Sequence, residues 1–234
     1  MTSATQVVLV TGAAGNLGAA VTMAFRASAA RLVLVERSRD KLLRAYGDDP
    51  PDTLLEGDLD LADPAAWDGV VARASERFGR IDALVHTVGA YRGGKTLADE
   101  DLATWSTLFD ANVRSALLAC RAVLPGMLTR GYGRIVTVAS RDALTAEPGA
   151  AAYSAAKAAL LRMTESLAAE TRGRGVTANC ILPAAIDTPQ NRASLDPSAW
   201  PSLVPGDAIA DVIVFLASPA ARALSGAAIP IYGA

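Results

Sequence analysis

The stretch Val7-Val8-Leu9-Val10-Thr11-Gly12-Ala13-Ala14-Gly15-Asn16-Leu17-Gly18 decides the fold of this chain. Its apolar run predicts a buried strand at Val7–Val10, and the glycines that follow predict a tight turn into a helix at Leu17–Ala27. Glycines here let the backbone approach a pyrophosphate, which the positive end of the helix dipole attracts. Any tight strand–helix turn favours glycine, but this position makes the signal a strong one for a nucleotide. The predicted contacts come from Gly12, Gly15, Asn16, Leu17 and Gly18.

The same alternation of strand and helix continues along the whole chain. Further strands are predicted at Leu32–Glu36, Thr53–Glu56, Ile81–His86, Arg134–Ala139, Val176–Ile181 and Ala228–Ile231. Further helices are predicted at Arg39–Tyr46, Pro64–Phe78, Asp101–Arg130, Ala151–Thr171 and Asp207–Ala217. Strands that are apolar on both faces are typical of a parallel sheet covered by helices on both sides. We therefore predict a single α/β domain over residues 1–234. It is a doubly wound, Rossmann-type fold of about seven parallel strands, with ligands at their carboxyl ends.

Composition narrows the classes of function. Of 234 residues, 51% are hydrophobic and 20% are charged, which favours a large core and excludes intrinsic disorder. A net charge of −2 lacks the basic footprint of proteins that bind nucleic acid or anionic lipid. Two cysteines and the single His86 exclude a disulfide framework and a histidine-rich zinc site. We expect a cytoplasmic protein with no metal and neither a nucleic-acid nor a membrane partner.

The uncharged segment Met1–Phe25 has an alternative interpretation as a membrane span or signal peptide. It has no Lys or Arg at its start, however, and Gly12, Gly15 and Gly18 interrupt its apolar run. The strand–turn–helix interpretation is therefore favoured.

The end of the second predicted strand, Val35-Glu36-Arg37, bears on the choice of cofactor. A carboxylate at Glu36 can accept the two hydroxyls of an adenosine ribose and repels a 2′-phosphate. Arg37 can instead pair with that phosphate. Because Glu36 occupies the strand end, NAD is favoured, with NADP possible; an ion pair without a ligand role also stays open.

Two further positions are candidates for contacts to the cofactor. Asp58-Leu59 follows the third strand, where the carboxylate could meet the adenine amino group while Leu59 packs on the ring. A helix-capping or turn aspartate is the alternative. Gly89, after the fourth strand, allows the chain to pass close to the cofactor.

The sharpest signal is Tyr153-Ser154-Ala155-Ala156-Lys157 at the start of a predicted helix. A spacing of four places both side chains on one helix face, offset by about 6 Å along the axis. An ammonium near a phenol favours phenolate, so we expect the pKa of Tyr153 to be lowered from about 10 and the phenol to act as a general acid or base. A tyrosine and a lysine on an exposed helix face are the alternative.

Two polar residues lie in the same context. Ser140 follows the fifth strand, where its hydroxyl can hold a substrate carbonyl beside the phenol. Asn112 interrupts an Ala/Leu face inside the long predicted helix, where it could bend the helix and bind water, or be a partly buried cap.

Ser140, Tyr153 and Lys157, with Asn112 and the Thr11–Gly18 turn, resemble the short-chain dehydrogenase/reductase family over essentially the whole chain. The segments Asn179–Thr188 and Ser225–Gly233 also resemble the nicotinamide-contacting segment and the closing strand of that family. The resemblance implies an NAD(P)-dependent oxidoreductase that acts on a small-molecule carbonyl/alcohol pair, and a homodimer or homotetramer.

The resemblance also implies residue roles. Tyr153 would donate the proton, Lys157 would bind the nicotinamide ribose and tune the phenol, Ser140 would orient the carbonyl, and Asn112 would hold a relay water. The cofactor's nicotinamide end would be held by Pro183, Ile186 and Thr188, the last two gripping the carboxamide.

Three positions depart from the family pattern. Asn16 replaces the usual Gly or Ala, His86-Thr87-Val88-Gly89 replaces Asn-Asn-Ala-Gly, and Ala184 replaces Gly. His86 could be a catalytic base, but a strand-end residue that lines the cofactor groove is the favoured interpretation.

The proline-rich segment 183–205 predicts a long ordered loop, which we call the lid; a surface insertion is the alternative. The lid, with Trp200, and the Gly93-Gly94 loop resemble those of dihydropteridine reductases, an NADH-using branch that usually lacks the serine present here as Ser140. An NADH-dependent pterin reductase is therefore one alternative function. A regulator that senses NAD(P) without turnover is another.

Overall fold

The structure is a computed structural model that describes residues 5–48 and 50–233. Seven parallel strands form one sheet in the order β3-β2-β1-β4-β5-β6-β7, and all six strand pairs are parallel. The strands are β1 Val7–Thr11, β2 Arg31–Val35, β3 Thr53–Glu56, β4 Ala83–His86, β5 Gly133–Val138, β6 Val176–Pro183 and β7 Ala228–Ile231. The predicted doubly wound parallel fold is confirmed, with strand ends that shift by one or two residues.

Eight α-helices connect these strands in the described part of the chain. They are α1 Asn16–Ala27, α2 Arg39–Tyr46, α3 Pro64–Phe78, α4 Leu102–Phe109, α5 Ser115–Arg130, α6 Ala151–Glu170, α7 Pro189–Ser194 and α8 Gly206–Ala217. None of the helices in the described ranges is long and apolar enough to cross a bilayer.

Alternating side chains of the central strands are buried on opposite faces of the sheet. In β1, Val8 and Val10 pack on the face covered by α1, α2 and α8, while Val7 and Leu9 pack on the face covered by α3 and α5. Because successive side chains of a strand point to opposite faces, a run that is apolar throughout requires helices on both sides. The apolar run that predicted a buried strand is therefore explained by this three-layer arrangement.

The long predicted helix Asp101–Arg130 is interrupted. It divides into α4, a π-helical segment at Asp110–Arg114, and α5. Such a segment inserts an extra residue into the helical ladder and often occurs at functional sites. Asn112 lies inside it, so the single continuous helix predicted over Asp101–Arg130 is corrected at the position of this residue.

The lid is not a loop without secondary structure, as the sequence suggested. It contains α7 and a 3₁₀ turn at Pro197–Ser202, and Ile186 pairs with Val204 across its base. Thr188 caps α7 and Pro189 is its first residue, which is a standard helix start that the proline content obscured.

Both cysteines are free and buried, and both lie on the face of the sheet that α3, α5 and α6 cover. Cys120 of α5 packs in the layer with α3, and Cys180 of β6 packs beneath α6. Burial raises the pKa of the Cys120 thiol to about 12, and burial also raises the pKa of Cys180.

Candidate active site

The candidate site lies where the strand order reverses, between β1 and β4. In a doubly wound sheet the crevice at this point binds ligands at the carboxyl ends of the strands. The neighbouring strands β1, β4, β5 and β6 end there at Thr11, His86, Val138 and Pro183.

The glycine turn meets this crevice at the start of α1. Gly12 adopts a left-handed conformation with φ of 62°, and a Cβ on Gly18 would lie 2.0 Å from the Gly12 carbonyl oxygen, so neither position accepts a side chain without rearrangement. The close packing aims the first turn of α1, from Asn16 to Gly18, at the crevice. A helix leaves the N–H groups of that turn without intrahelical carbonyl partners, which suits a pyrophosphate.

The residues after β2 and β3 form the end of the crevice where the sequence analysis expects the adenosine half of a cofactor. The Glu36 carboxylate accepts a hydrogen bond from the Arg37 backbone N–H at 3.0 Å, and the Arg37 side chain is exposed. The Asp58 carboxylate accepts from the Arg39 N–H, at the start of α2, also at 3.0 Å. Asp58 therefore adopts the capping role that the sequence left as an alternative, while Leu59 packs on the core.

Tyr153 and Lys157 lie on one face of α6, as their spacing predicts. The Lys157 Nζ is 5.8 Å from the centroid of the Tyr153 ring and donates to the carbonyl oxygen of Val138 at 3.0 Å. Only 4% of Lys157 is exposed, and this burial lowers its pKa to about 8. The ammonium is thus fixed at the end of β5.

The pKa of Tyr153 differs from the expectation. Burial raises it to about 12, and the hydrogen bond with Ser140 offsets the rise only in part. Lys157 is held at Val138 instead of at the phenol oxygen, so within the chain itself desolvation outweighs any stabilisation of phenolate. The predicted lowering of this pKa by Lys157 alone is therefore wrong.

Ser140 is placed beside the phenol by a short turn. It caps the 3₁₀ turn Arg141–Ala143 and accepts from the Asp142 N–H at 3.1 Å, while its hydroxyl also bonds to Tyr153. Since a hydroxyl both donates and accepts, Ser140 can share a carbonyl oxygen with Tyr153.

Asn112 is fully buried and binds the backbone after β4. Its amide nitrogen donates to the carbonyl oxygens of Leu108 and Ala90, each at 2.9 Å, and its Oδ1 accepts from the Ala90 N–H at 3.1 Å. Asn112 therefore binds both the N–H and the carbonyl oxygen of Ala90, a role that the sequence analysis missed.

Gly89 lets these groups converge. A Cβ at Gly89 would lie 2.8 Å from Asn112 Oδ1 and 3.0 Å from Lys157 Nζ. Both distances are closer than ordinary contacts of a Cβ atom, so a side chain here would force the amide and the ammonium apart.

His86 does not line a groove. It ends β4 as expected, but none of its surface is exposed, and its ring lies between the hydroxyls of Thr11 (Nδ1, 3.1 Å) and Ser115 (Nε2, 3.3 Å). Burial and the nearby Lys157 charge lower its pKa to about 3, so the ring is neutral at neutral pH. The groove-lining interpretation is corrected: His86 joins β1, β4 and α5 inside the protein. We call His86, Asn112 and Lys157 the buried polar floor.

The lid approaches the glycine turn from the other side. Asn16 donates to the Gln190 side chain of α7 at 2.9 Å. Thr188 is 8% exposed and its hydroxyl accepts from the Asn191 N–H, which leaves the hydroxyl proton free to donate. Ile186 packs on the core beside the buried Pro183. The predicted nicotinamide-end residues thus share one wall.

Tyr91 is a further residue at the site that the sequence analysis did not identify. Its ring meets the Tyr153 ring edge to face, with centroids 4.9 Å apart, and 65% of the residue is exposed. Its position two residues after Gly89, on the loop after β4, was the available signal, because such loops line the crevice.

Among the described residues, no group of three or more His, Cys, Asp or Glu side chains could hold a metal ion. The polar side chains that meet at this crevice carry hydroxyl, phenol, amide and ammonium groups.

Comparisons with known proteins show which sequences and folds this chain resembles. The sequence model of the family described as short chain dehydrogenase matches residues 6–198. The chain is 33% identical over 244 residues to the 2-(R)-hydroxypropyl-CoM dehydrogenase of Xanthobacter autotrophicus, with 98% of each chain covered. It is 35% identical over 246 residues to the D-threitol dehydrogenase of Mycolicibacterium smegmatis, covering 97% of this chain and 92% of the relative.

A solved structure with a bound cofactor is also similar. The 3-ketoacyl-(acyl-carrier-protein) reductase from Brucella melitensis, in complex with NADH, superposes with a TM-score of 0.87 at 26% identity. The match covers 97% of this chain and 96% of that chain.

Proposed function

The chain belongs to the short-chain dehydrogenase/reductase family, and from this membership we propose that it transfers hydride between a nicotinamide cofactor and a small carbonyl/alcohol substrate. The observation that carries the proposal is the convergence of Ser140, Tyr153 and Lys157 at the carboxyl end of β5, in a sheet whose β1 ends in the glycine turn. The names of the two relatives, both dehydrogenases of hydroxylated compounds, support the substrate class.

The residues present fit a dinucleotide. The close-packed Gly12 and Gly18 leave room for a pyrophosphate at the start of α1, and Thr188 has a hydroxyl proton to donate at the opposite end of the crevice. When bound there, a nicotinamide cofactor supplies or accepts the hydride. The residues that would hold it are Gly12, Gly15, Asn16, Leu17, Gly18, Glu36, Arg37, Asp58, Leu59, Gly89, Tyr153, Lys157, Pro183, Ile186 and Thr188.

In the reducing direction, Tyr153 acts as the general acid. Ser140 and Tyr153 bind the carbonyl oxygen, hydride adds to the carbonyl carbon, and the Tyr153 proton moves to the oxygen, which gives the alcohol. A phenol whose pKa is about 12 is protonated at neutral pH, and this is the form that the step requires.

Lys157 and Asn112 support the Tyr153 phenol in two different ways. The ammonium is fixed beside Gly89 and carries its charge below a pKa of about 8, so it offsets the negative charge that develops on the phenol. Asn112 keeps the Ala90 backbone, and with it the Tyr91 loop, in place beside Tyr153.

A substitution of the phenol tests the mechanism. The purified chain should consume NADH when mixed with members of a panel of aldehydes and ketones, followed by the loss of NADH absorbance. Tyr153→Phe keeps the ring and should lower kcat by about 10²–10⁴-fold, because it removes the general acid. Tyr132→Phe, at the opposite edge of the sheet, is the matched control. Equal rates for Tyr153→Phe and the parent would show that the mechanism is wrong.

The preferred cofactor is NAD. The Glu36 carboxylate lies after β2, where it would repel a 2′-phosphate, although the exposed Arg37 is next to it. We expect the parent to bind NADH more tightly than NADPH in fluorescence titrations. Glu36→Gln should move the preference towards NADPH, and Arg37→Gln should not. Tighter binding of NADPH by the parent would contradict this assignment.

The alternatives are not favoured. Ser140 stands beside the phenol, whereas the dihydropteridine reductases that the lid resembles usually lack this serine. A regulator that binds cofactor without turnover would have no need for the Ser140–Tyr153 pair. Failure of every carbonyl substrate, with tight cofactor binding, would restore that alternative.

We also expect a homo-oligomer in solution. Leu102 and Leu117, on α4 and α5, are 84% and 48% exposed, and Trp105 stacks on Phe109 beside them. Large exposed apolar side chains on neighbouring helices favour association. Light scattering should give the mass of a dimer or tetramer.

A further inference from the structure

A second cavity lies at the amino ends of the strands, on the side of the sheet away from the candidate crevice. It has a volume of about 810 Å³ and is formed by the end of α6, the turn after it, the first residues of β5 and β6, and the segment before β7. Six residues between Arg134 and Ser140 correspond to about 20 Å of extended strand. This cavity is therefore separate from the crevice at the carboxyl ends.

The cavity is positively charged. Arg134, Arg172 and Arg222 line it, and among the described residues that form its walls the single acidic one is Glu165. The Glu165 carboxylate already accepts from Arg162 at 2.5 Å. Three guanidinium groups in the walls of one cavity, in a chain of net charge −2, form a local excess of positive charge that an anion would relieve.

Arg134 gives the cavity a rigid wall. It is 4% exposed and donates to the carbonyl oxygens of Gly133 (2.8 Å), Gly175 (3.1 Å) and Ser218 (3.3 Å). Its guanidinium also lies 4.4 Å from the centroid of the Tyr132 ring. A cation held in this way is pre-organised for a ligand. The side chains of Arg172 and Arg222 are exposed and can move to contact that ligand.

We propose that this cavity binds a small organic anion through phosphate or carboxylate groups. Arg172 and Arg222 pair with the charged groups, and Arg134 forms the fixed wall. A volume near 810 Å³ exceeds that of a single inorganic ion and falls in the range of small-molecule sites.

Calorimetric titration of the full chain with inorganic pyrophosphate and with citrate tests the proposal. The parent binds at least one of the two probes, and added NaCl weakens that binding. Arg172→Gln/Arg222→Gln lowers the affinity by at least about tenfold, because two charge-assisted contacts are lost. Arg44→Gln, an exposed arginine on α2, is the matched control and leaves the affinity unchanged.

Melting temperatures separate binding from folding. Arg172 and Arg222 are both exposed, so the variant should melt within a few degrees of the parent while its affinity falls. Each titration is repeated with NADH present, because pyrophosphate can also bind at the glycine turn.

Three outcomes overturn the proposal: neither probe binds to the parent, the arginine variant binds as the parent does, or NADH abolishes all of the binding. None of these outcomes bears on hydride transfer, which the carbonyl assay measures separately.

Discussion

The buried polar floor and the lid are built in opposite ways. His86 and Asn112 are fully buried and Lys157 is 4% exposed, and each binds atoms from other elements. In the lid, Leu195 and Trp200 are 39% and 37% exposed, and the Asp187–Arg192 pair is formed within the lid itself. The floor is therefore rigid before any ligand binds, whereas the exposed part of the lid, α7 and the 3₁₀ turn, is held by polar contacts that water can replace.

The largest expected effect is the loss of stability in acid that the buried His86 causes. The unfolded ring gains a proton near pH 6.5 and the folded ring only near pH 3, so stability falls as the pH decreases through this window. Between pH 6.5 and 4 the parent should lose about 3 kcal/mol more than His86→Asn. Urea unfolding at the two pH values measures this difference.

This comparison is clean because His86 is the only histidine in the chain, and the carboxylates titrate equally in both proteins. Equal losses in the free energy of unfolding for the parent and for His86→Asn would contradict the burial of the neutral His86 ring.

Lys157 should act in the alkaline range. Its pKa is about 8 in the folded protein and near 10.5 in the unfolded chain, so the unfolded chain holds more protons between these values and stability rises with pH. The parent should gain up to about 3 kcal/mol relative to Lys157→Met between pH 8 and 10.5. Tyr153 is present in both proteins, so its opposite contribution cancels in the difference. A constant difference would contradict the burial of the ammonium.

Matched asparagines in the two regions sharpen the contrast. Asn112→Ala leaves the N–H and carbonyl of Ala90 without their partner and should cost about 1–3 kcal/mol. Asn191→Ala in the lid removes a 2.7 Å bond from its amide to the Ile186 carbonyl, where water can substitute, and should cost under about 1 kcal/mol. Denaturant midpoints measure both, and equal costs would remove the distinction between floor and lid.

The smallest effect is expected for the contact between the lid and the glycine turn. Asn16→Ala and Gln190→Ala each remove the same exposed bond and should speed NADH release by up to about fivefold, or about 1 kcal/mol. The double variant should release NADH no faster than either single variant, as stopped-flow fluorescence would show. Additive effects would mean that the two residues act separately.

The same contrast explains what the sequence could predict. Runs such as Val7–Val10 predict strands because both faces are buried, and the Tyr153–Lys157 spacing predicts a shared helix face because helical geometry is local. The lid helix was missed because the prolines of the segment outweighed the Thr188-Pro189 start signal.

Other features depend on contacts between distant parts of the chain. The sequence does not show that Ser115 reaches His86, or that Ala90 lies within reach of Asn112, since these pairs form only when helices pack on the sheet. The pKa of Tyr153 was predicted in the wrong direction for the same reason, because its burial and the binding of Lys157 to Val138 depend on tertiary structure.

The two buried thiols give the protein a built-in reporter of opening. With raised pKa values, Cys120 and Cys180 are neutral and sealed at neutral pH, so an alkylating reagent can label them only after the surrounding layer separates from the sheet. The two residues lie under different parts of the same helical layer, so the order in which they are labelled would reveal which part of that layer separates from the sheet first.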